Sequence, residues 1–462
     1  MKKNLIRIFS LLMALCMALC CAGCGGEEIE IVYEDESEVS STQSDVQSNT
    51  NSGTSSNKGP ASKVEAVIND NVNPADYRGK TVVYATWRNP ALYEDGPVVE
   101  AFQKKYGIKV KVDLMTEETY TNTVLGRIAS GKSPDVYFST YTFPYCIDAL
   151  QPIDAAKLNL KEDIWDDALI DLATVKGKTY LVDTIGNIWK DEDMVFFNKK
   201  IFRDNGWTTP EEYYEAGKWN FDTMKKCMQQ VASLGSDYIG GAIHLEGLIH
   251  GTGSSVIGYK NGKFYNGTTD TTTQDIMRWA SNGVKEGWLS TLSIYTALNQ
   301  FPSGKVGIAI LHSFGLKKTG YLRTMKASDI GFTYLPSYKG KEYKPTGLVR
   351  GWGICKDAAN PVAAGIFLRY YLDVNNYDTT SAFISKEAEN FFFKLTSTNT
   401  KNKNFYFCCG SGVTGVTGKD KTPEAQYVQA PGYADPSQVV TEISKYQNEL
   451  NADITKLNNK LK

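Results

Sequence analysis

Residues 81–138 read TVVYATWRNPALYEDGPVVEAFQKKYGIKVKVDLMTEETYTNTVLGRIASGKSPDVYF, and the order of patterns in this stretch decides the fold class. Thr81-Val82-Val83-Tyr84-Ala85 is a short β-branched and aromatic run, the composition of a strand. Gly96-Pro97 opens a helix that aligns Val98, Ala101, Phe102 and Tyr106 on one face and stops at Gly107. Ile108 to Leu114 alternates apolar and polar residues as a second strand. From Thr119 to Ser130, Tyr120, Val124 and Ile128 recur at helical spacing, with Gly131 as the stop. Pro134-Asp135 then leads into a third strand, Val136-Tyr137-Phe138. Strand, helix, strand, helix, strand in this order calls for a parallel sheet joined by right-handed crossovers. The alternation resumes after residue 190 and again after residue 345, so the ordered chain reads as α/β. In the last helix Ile443, Tyr446, Leu450, Ile454, Leu457 and Leu461 recur at steps of three and four. That stripe packs on the body or, as the alternative, on a coiled-coil partner.

The N-terminal side is different in kind. Lys2, Lys3 and Arg7 precede an apolar run from Ile8 to Cys21, too short for a permanent membrane span and flanked like a secretory leader. Cys21-Ala22-Gly23-Cys24 resembles a lipobox, which implies a leader of residues 1–23 and acylation of Cys24. The mature chain is then anchored to the outer face of the cell membrane; a plain signal peptide cleaved nearby is the alternative. Residues 24–75 are rich in Ser, Thr, Asn and Glu, bury little apolar surface and read as a flexible tether.

The 462 residues are 42% apolar and 22% charged, an ordinary globular balance with length enough for two sizeable cores. Lys and Arg number 50 against 52 Asp and Glu, so no basic field exists to hold nucleic acid. Only three histidines are present, which argues against a His-rich metal centre. Nine cysteines, four of them in the leader region, show no regular spacing and make neither a disulfide framework nor a zinc ribbon. Buried thiols, or a single bridge involving Cys408-Cys409, account for the remaining five. Gly410, Gly412 and Gly415 match a GxGxxG pattern, but the Lys419-to-Pro423 segment that follows is no apolar helix, so the dinucleotide reading fails. Aromatic residues, at 12%, are the abundant resource.

Several segments together resemble the extracellular solute-binding proteins of bacterial ABC importers, the family that includes maltose-binding protein. They are FQKKYGIKVKV at 102–112, GKSPDVYF at 131–138, LQPID at 150–154, GKTYLV at 177–182 with FFNKKIF at 196–202, GKWNFD at 217–222, FPSGKVGIAI at 301–310 and the helix from Asn360-Pro361 to Leu368. Each is weak alone; their order over residues 80–372 carries the resemblance. It implies a two-lobe, periplasmic-binding-protein-like α/β fold with three interlobe crossovers and a ligand cleft between the lobes. Lobe one is expected at 76–183 and 350–400, lobe two at 186–345 and 410–462.

Cleft residues are then sought where loops follow strands. Trp87, Arg88 and Asn89 follow the first strand; a Trp face stacks on sugar C–H surface while Arg and Asn address hydroxyls, although Trp87 could instead cover the lobe core. Tyr141 and Phe143 follow the third strand, with packing against Ile147 and Leu150 as the alternative. Asp183, Asn187 and Trp189 stand at the first crossover, where Asp183 could equally cap a turn. His244 and Glu246 are expected to hydrogen-bond solute; with His250 they could suit zinc, but further ligands are missing and no metal is assigned. Phe314, after His312 and Ser313, and Trp352, within Arg350-Gly351-Trp352-Gly353, complete the set. Trp165, Trp207, Trp219, Trp279 and Trp288 read as structural.

The expected function is reversible capture of a small solute, an oligosaccharide, by a monomeric lipoprotein that delivers it to an ABC permease. No catalytic residue, cofactor, metal or nucleic-acid partner is expected. Two rivals remain: a cell-surface glycoside hydrolase with paired carboxylates, and a glycan-binding adhesin.

Overall fold

A computed structural model describes residues 71–117, 119–140, 142–292, 294–397, 404–407 and 425–462. The leader, Cys24, the tether to residue 70, Tyr141, Cys408-Cys409 and the 410–415 glycines lie outside the described residues. A turn at Pro74–Tyr77, capped by the Asn73 side chain, begins inside the stretch expected as tether and runs into the expected first lobe.

The stretch quoted above folds as its pattern predicts. It gives β1 (Thr81–Thr86), α1 (Gly96–Tyr106), β2 (Lys109–Leu114), α2 (Tyr120–Ala129) and β3 (Val136–Ser139). Pro97 sits in the first turn of α1, where a missing N–H costs nothing; Gly107, at φ 64°, closes the helix in the left-handed conformation. β1 runs parallel to β2, from Thr81 opposite Lys109 to Thr86 opposite Leu114, and parallel to β3 at Tyr84 and Val136. After β4 (Leu150–Gln151) the chain passes to a second sheet at β5 (Asp193–Asn198). There follow α3 (Phe221–Ala232), β6 (Ile239–Ile243), α4 (Leu245–Gly251), α5 (Thr271–Lys285), β7 (Val306–His312), β8 (Ile330–Thr333) and β9 (Thr346–Leu348). The chain then returns to the first sheet as β10 (Gly351–Cys355) and continues into α6 (Pro361–Tyr371), α7 (Lys386–Thr396) and α8 (Val439–Leu461).

The first sheet has the order β2-β1-β3-β10-β4 and the second β8-β5-β7-β6. β10 is antiparallel to β3 and β4, and β7 is antiparallel to β5 but parallel to β6. Strands joined by a local helix are parallel; strands delivered from the other sheet enter antiparallel. Each sheet has its own buried side chains: Val82, Phe102, Ile108 and Phe367 around the first, Met224, Met228, Ile243 and Ile308 around the second. Full burial of such side chains is worth about 1.5–3 kcal/mol apiece.

The stripe on α8 packs on the body, with Ile443, Leu450, Ile454 and Leu457 all buried. Asn458 locks it to Phe264 by a reciprocal pair of hydrogen bonds, 2.8 and 3.0 Å. The segment around α7 departs from the expected boundary, which put residues 350–400 with the first lobe. Phe391 lies against Phe332 of β8 and against Tyr334, at ring separations of 5.1 and 4.8 Å, and Ile384 N–H bonds Leu316 O. The aromatic face of this helix finds its partners beside the second sheet.

Candidate binding cleft

The carboxyl ends of β1, β3 and β7 border a cleft of about 360 Å³ between the two sheets. Open α/β sheets place ligands at such ends because the loops there are free to carry chemistry. Trp87 follows β1 and lies nearly parallel to Phe138 of β3 (5.7 Å between ring centres, 27°) and edge-on to Tyr120 (4.8 Å). Phe138 in turn meets Trp352 at 4.3 Å, so three aromatic rings run side by side along the first wall.

Arg88 crosses the cleft. Its guanidinium carbon stands 3.7 Å from the Trp189 ring centre, 4.0 Å from that of Tyr93 and 5.5 Å from that of Phe314. Lys317, 1% exposed, reaches Glu94 Oε1 at 3.3 Å and lies 4.3 Å above Trp189. Burial, aided by the nearby Arg88 charge and opposed by Glu94, pushes its ammonium pKa down to about 8. Asp95 accepts from the Tyr371 hydroxyl at 2.9 Å. Burial pushes its carboxyl up to about 6 although Arg88 pulls the other way. Arg350 donates to Trp189 O at 2.6 Å and pairs with Asp191 at 3.1 Å. Aromatic faces, cations and carboxylates thus converge on a space suited to a small, polar molecule with apolar faces.

Of the residues singled out in the sequence, Trp87, Arg88, Trp189, Phe314 and Trp352 line this cleft together. Trp352 differs from its expectation in one respect: it belongs to β10, not a loop, and is 2% exposed. Its backbone exchanges two 2.9 Å hydrogen bonds with Val182, which extends the strand over the expected hinge. Asn89 is not on the wall; its side chain accepts from Ala91 N–H and caps the short turn Pro90–Leu92. Phe143 is core, buried and stacked 6.3 Å from Phe407. Asp183 and Asn187 do not line the cleft either. Asp183 accepts from Thr184 N–H and the Asn187 amide, and Asn187 Oδ1 accepts from Trp189 N–H at 3.0 Å, so this pair builds the turn that presents Trp189. Burial raises the Asp183 pKa against the pull of Lys190.

His244 is buried with Nδ1 2.7 Å from Asp193, and Glu246 is buried on α4 with its carboxylate 3.7 Å from His250. Neither lines the cleft, because His244 stands outside the first turn of α4 and turns to β5 instead. The wall residues missed in the sequence include Tyr93, Asp95, Asp191, His312, Lys317, Tyr321 and Arg350. Their shared signal is position: His312 ends β7, and each of the others lies in a segment that follows β1 or β7 or precedes β5 or β10. None of Trp165, Trp207, Trp219, Trp279 and Trp288 lines the cleft; Trp165 and Trp219 each donate the indole N–H to a backbone carbonyl at 2.8 Å.

The sequence profile of the bacterial extracellular solute-binding protein family matches residues 81–374, and the chain belongs to that family. The fold is that of solved two-lobe binding proteins. The galacto-N-biose/lacto-N-biose I-binding protein of an ABC transporter from Bifidobacterium longum is 13% identical, with TM-score 0.60 over 81% of this chain and 97% of that one. A maltose complex of an extracellular solute-binding protein from Staphylococcus aureus is 16% identical, with TM-score 0.55 over 82% and 98%. An ABC substrate-binding protein from Listeria monocytogenes, in complex with cycloalternan, is 12% identical, with TM-score 0.55 over 82% and 97%. No curated protein sequence matches the chain. Among the described residues no helix is long and apolar enough to cross a membrane.

Proposed function

We propose that the protein captures an oligosaccharide in the cleft between its sheets and delivers it to the permease of an ABC importer. The observation that carries this reading is Trp87, backed by the buried rings of Phe138 and Trp352, opposite Trp189 and Phe314 across a space of about 360 Å³. Sugar rings present C–H faces for such stacking, while Arg88, Asp95, Asp191 and Arg350 supply donors and acceptors for hydroxyls. The two sheets are the centres of two lobes that close on solute about the segments joining them. The work is reversible binding; no bond is made or broken. Acylation of Cys24 anchors the protein to the outer face of the membrane. The three solved relatives described above, each with a saccharide or a transporter in its description, support the same reading.

Titration calorimetry against a panel of oligosaccharides, polyols and peptides tests it. A saccharide binds, and Trp87→Ala weakens that binding by about 1–3 kcal/mol, the worth of a buried aromatic contact, with little change in melting temperature. Trp352→Ala, by contrast, lowers fold stability by about 3–5 kcal/mol, because the ring is buried in the sheet. Binding of peptides alone, or release of new reducing ends from a bound saccharide, overturns the proposal.

A further inference from the structure

We propose that Asp193, His244 and His312 form a site for a divalent transition-metal ion of the zinc class at the cleft edge of the second sheet. Three neighbouring strands bring them together. Asp193 opens β5, His312 ends β7 directly opposite it, and His244 follows β6 with its N–H bonded to Ile310 O at 3.0 Å. Both imidazoles aim Nδ1 at one oxygen: His244 stands 2.7 Å and His312 3.3 Å from Asp193 Oδ1. One ligating atom from each residue lies within 4.8 Å of the other two.

The two spacings to Asp193 are close to those of a bound ion. Tetrahedral zinc with bonds of about 2.0–2.1 Å separates its ligand atoms by about 3.3 Å. The His312 pair already has that spacing, and the His244 pair must open by roughly half an ångström to reach it. Two imidazole nitrogens and one carboxylate oxygen are the donors of zinc, cobalt and nickel; magnesium and calcium take oxygen.

The carboxylate is held for the purpose. Asp193 Oδ2 accepts from the Thr346 hydroxyl at 3.1 Å, and a Cβ at Gly247 would fall 2.2 Å from the same oxygen, so only glycine lets α4 pack here. Such outer hydrogen bonds fix the orientation of metal-binding carboxylates. His312 lies on the cleft wall, which gives an ion a route in and leaves a coordination position for water or a solute oxygen. Two of only three histidines in the chain thus converge on one buried carboxylate. Asp193 lies where the chain enters the second sheet, and Thr346 shortly before it leaves for β10, so a bound ion ties both segments to β6 and β7.

The test uses the purified full chain in metal-free buffer, titrated with zinc by calorimetry and with cobalt(II) by visible absorption. One ion binds per chain, the melting temperature rises, and cobalt gives the intense visible bands of a tetrahedral site. His312→Ala, a change on the partly exposed member, weakens binding at least tenfold. His312→Cys restores binding, and its cobalt complex gains thiolate charge-transfer absorption in the near ultraviolet. Absence of stoichiometric binding, binding indifferent to His312→Ala, or a His312→Cys complex without the thiolate band would each overturn the site.

Discussion

Arg88 and Lys190 both bring a cation to the cleft, and they are neutralised in opposite ways. Arg88 is sandwiched by the faces of Trp189 and Tyr93, with its nearest carboxylate, Glu94, 3.8 Å away and shared with Lys317. Lys190 is 8% exposed and is held by Asp166, with Asp183 at 3.8 Å. The difference follows from the two head groups. A guanidinium is planar and weakly hydrated, so ring faces can replace its water; an ammonium is a compact, strongly hydrated charge that needs carboxylates when buried. Arg88 Nε and Nη2 are buried with no hydrogen-bond acceptor among the described residues, whereas the Lys190 ammonium is committed to the scaffold.

The largest effect expected from this contrast is on stability. Lys190→Met leaves Asp166 and Asp183 buried without their cation and lowers unfolding free energy by about 3–5 kcal/mol in urea melts. A loss below about 1 kcal/mol would mean that the ion network does not hold the crossover. Lys190→Met combined with Asp166→Asn and Asp183→Asn recovers part of the loss, since the orphaned charges are gone.

A smaller effect is read in pH. The Asp95 carboxyl, raised by burial to about 6, keeps its proton in the folded state between about pH 4 and 6, where the unfolded chain has lost it. The native state then binds more protons, so stability falls as pH rises through that window, by up to about 3 kcal/mol at 1.36 kcal/mol per unit. Asp95→Asn flattens this part of the stability profile. A profile identical to that of the unaltered protein would place the charge-bearing group elsewhere on the wall.

The smallest effect sharpens the Arg88 side of the comparison. Arg88→Lys keeps the charge but loses the plane, and weakens solute binding by about 1 kcal/mol, with little change in melting temperature. An unchanged affinity would show that the ring faces need only a charge.

The candidate site was legible in part. Trp87, Arg88 and Phe314 are legible because they follow strands that local periodicity reveals, and Trp189 because the family resemblance puts a crossover there. Asp183, Asn187 and His244 read as wall residues because polar side chains in such loops look alike whether they face solute or backbone; here they turn to Thr184, Trp189 and Asp193. Lys317 and Asp95 escaped notice because a Lys in a loop and an Asp before a helix are ordinary until burial strips their water.

The sequence by itself determined the alternation of strands and helices from residue 81 onward, the boundaries of α1 at Gly96-Pro97 and Gly107, and the apolar stripe of α8. These are local properties, set by side-chain periodicity and by the backbone freedom of a few residues, and they need no partner to be read. The tertiary structure alone decided which loops meet. Trp87 lies in line with Phe138 and Trp352, and two histidines converge on Asp193, because strands far apart in the chain lie side by side in a sheet; Lys317 finds Glu94 across 223 positions because the ends of the two sheets face each other. Contacts of that kind depend on the order of strands in each sheet, which no local pattern encodes, and on burial, which turns an ordinary charged side chain into a constrained one.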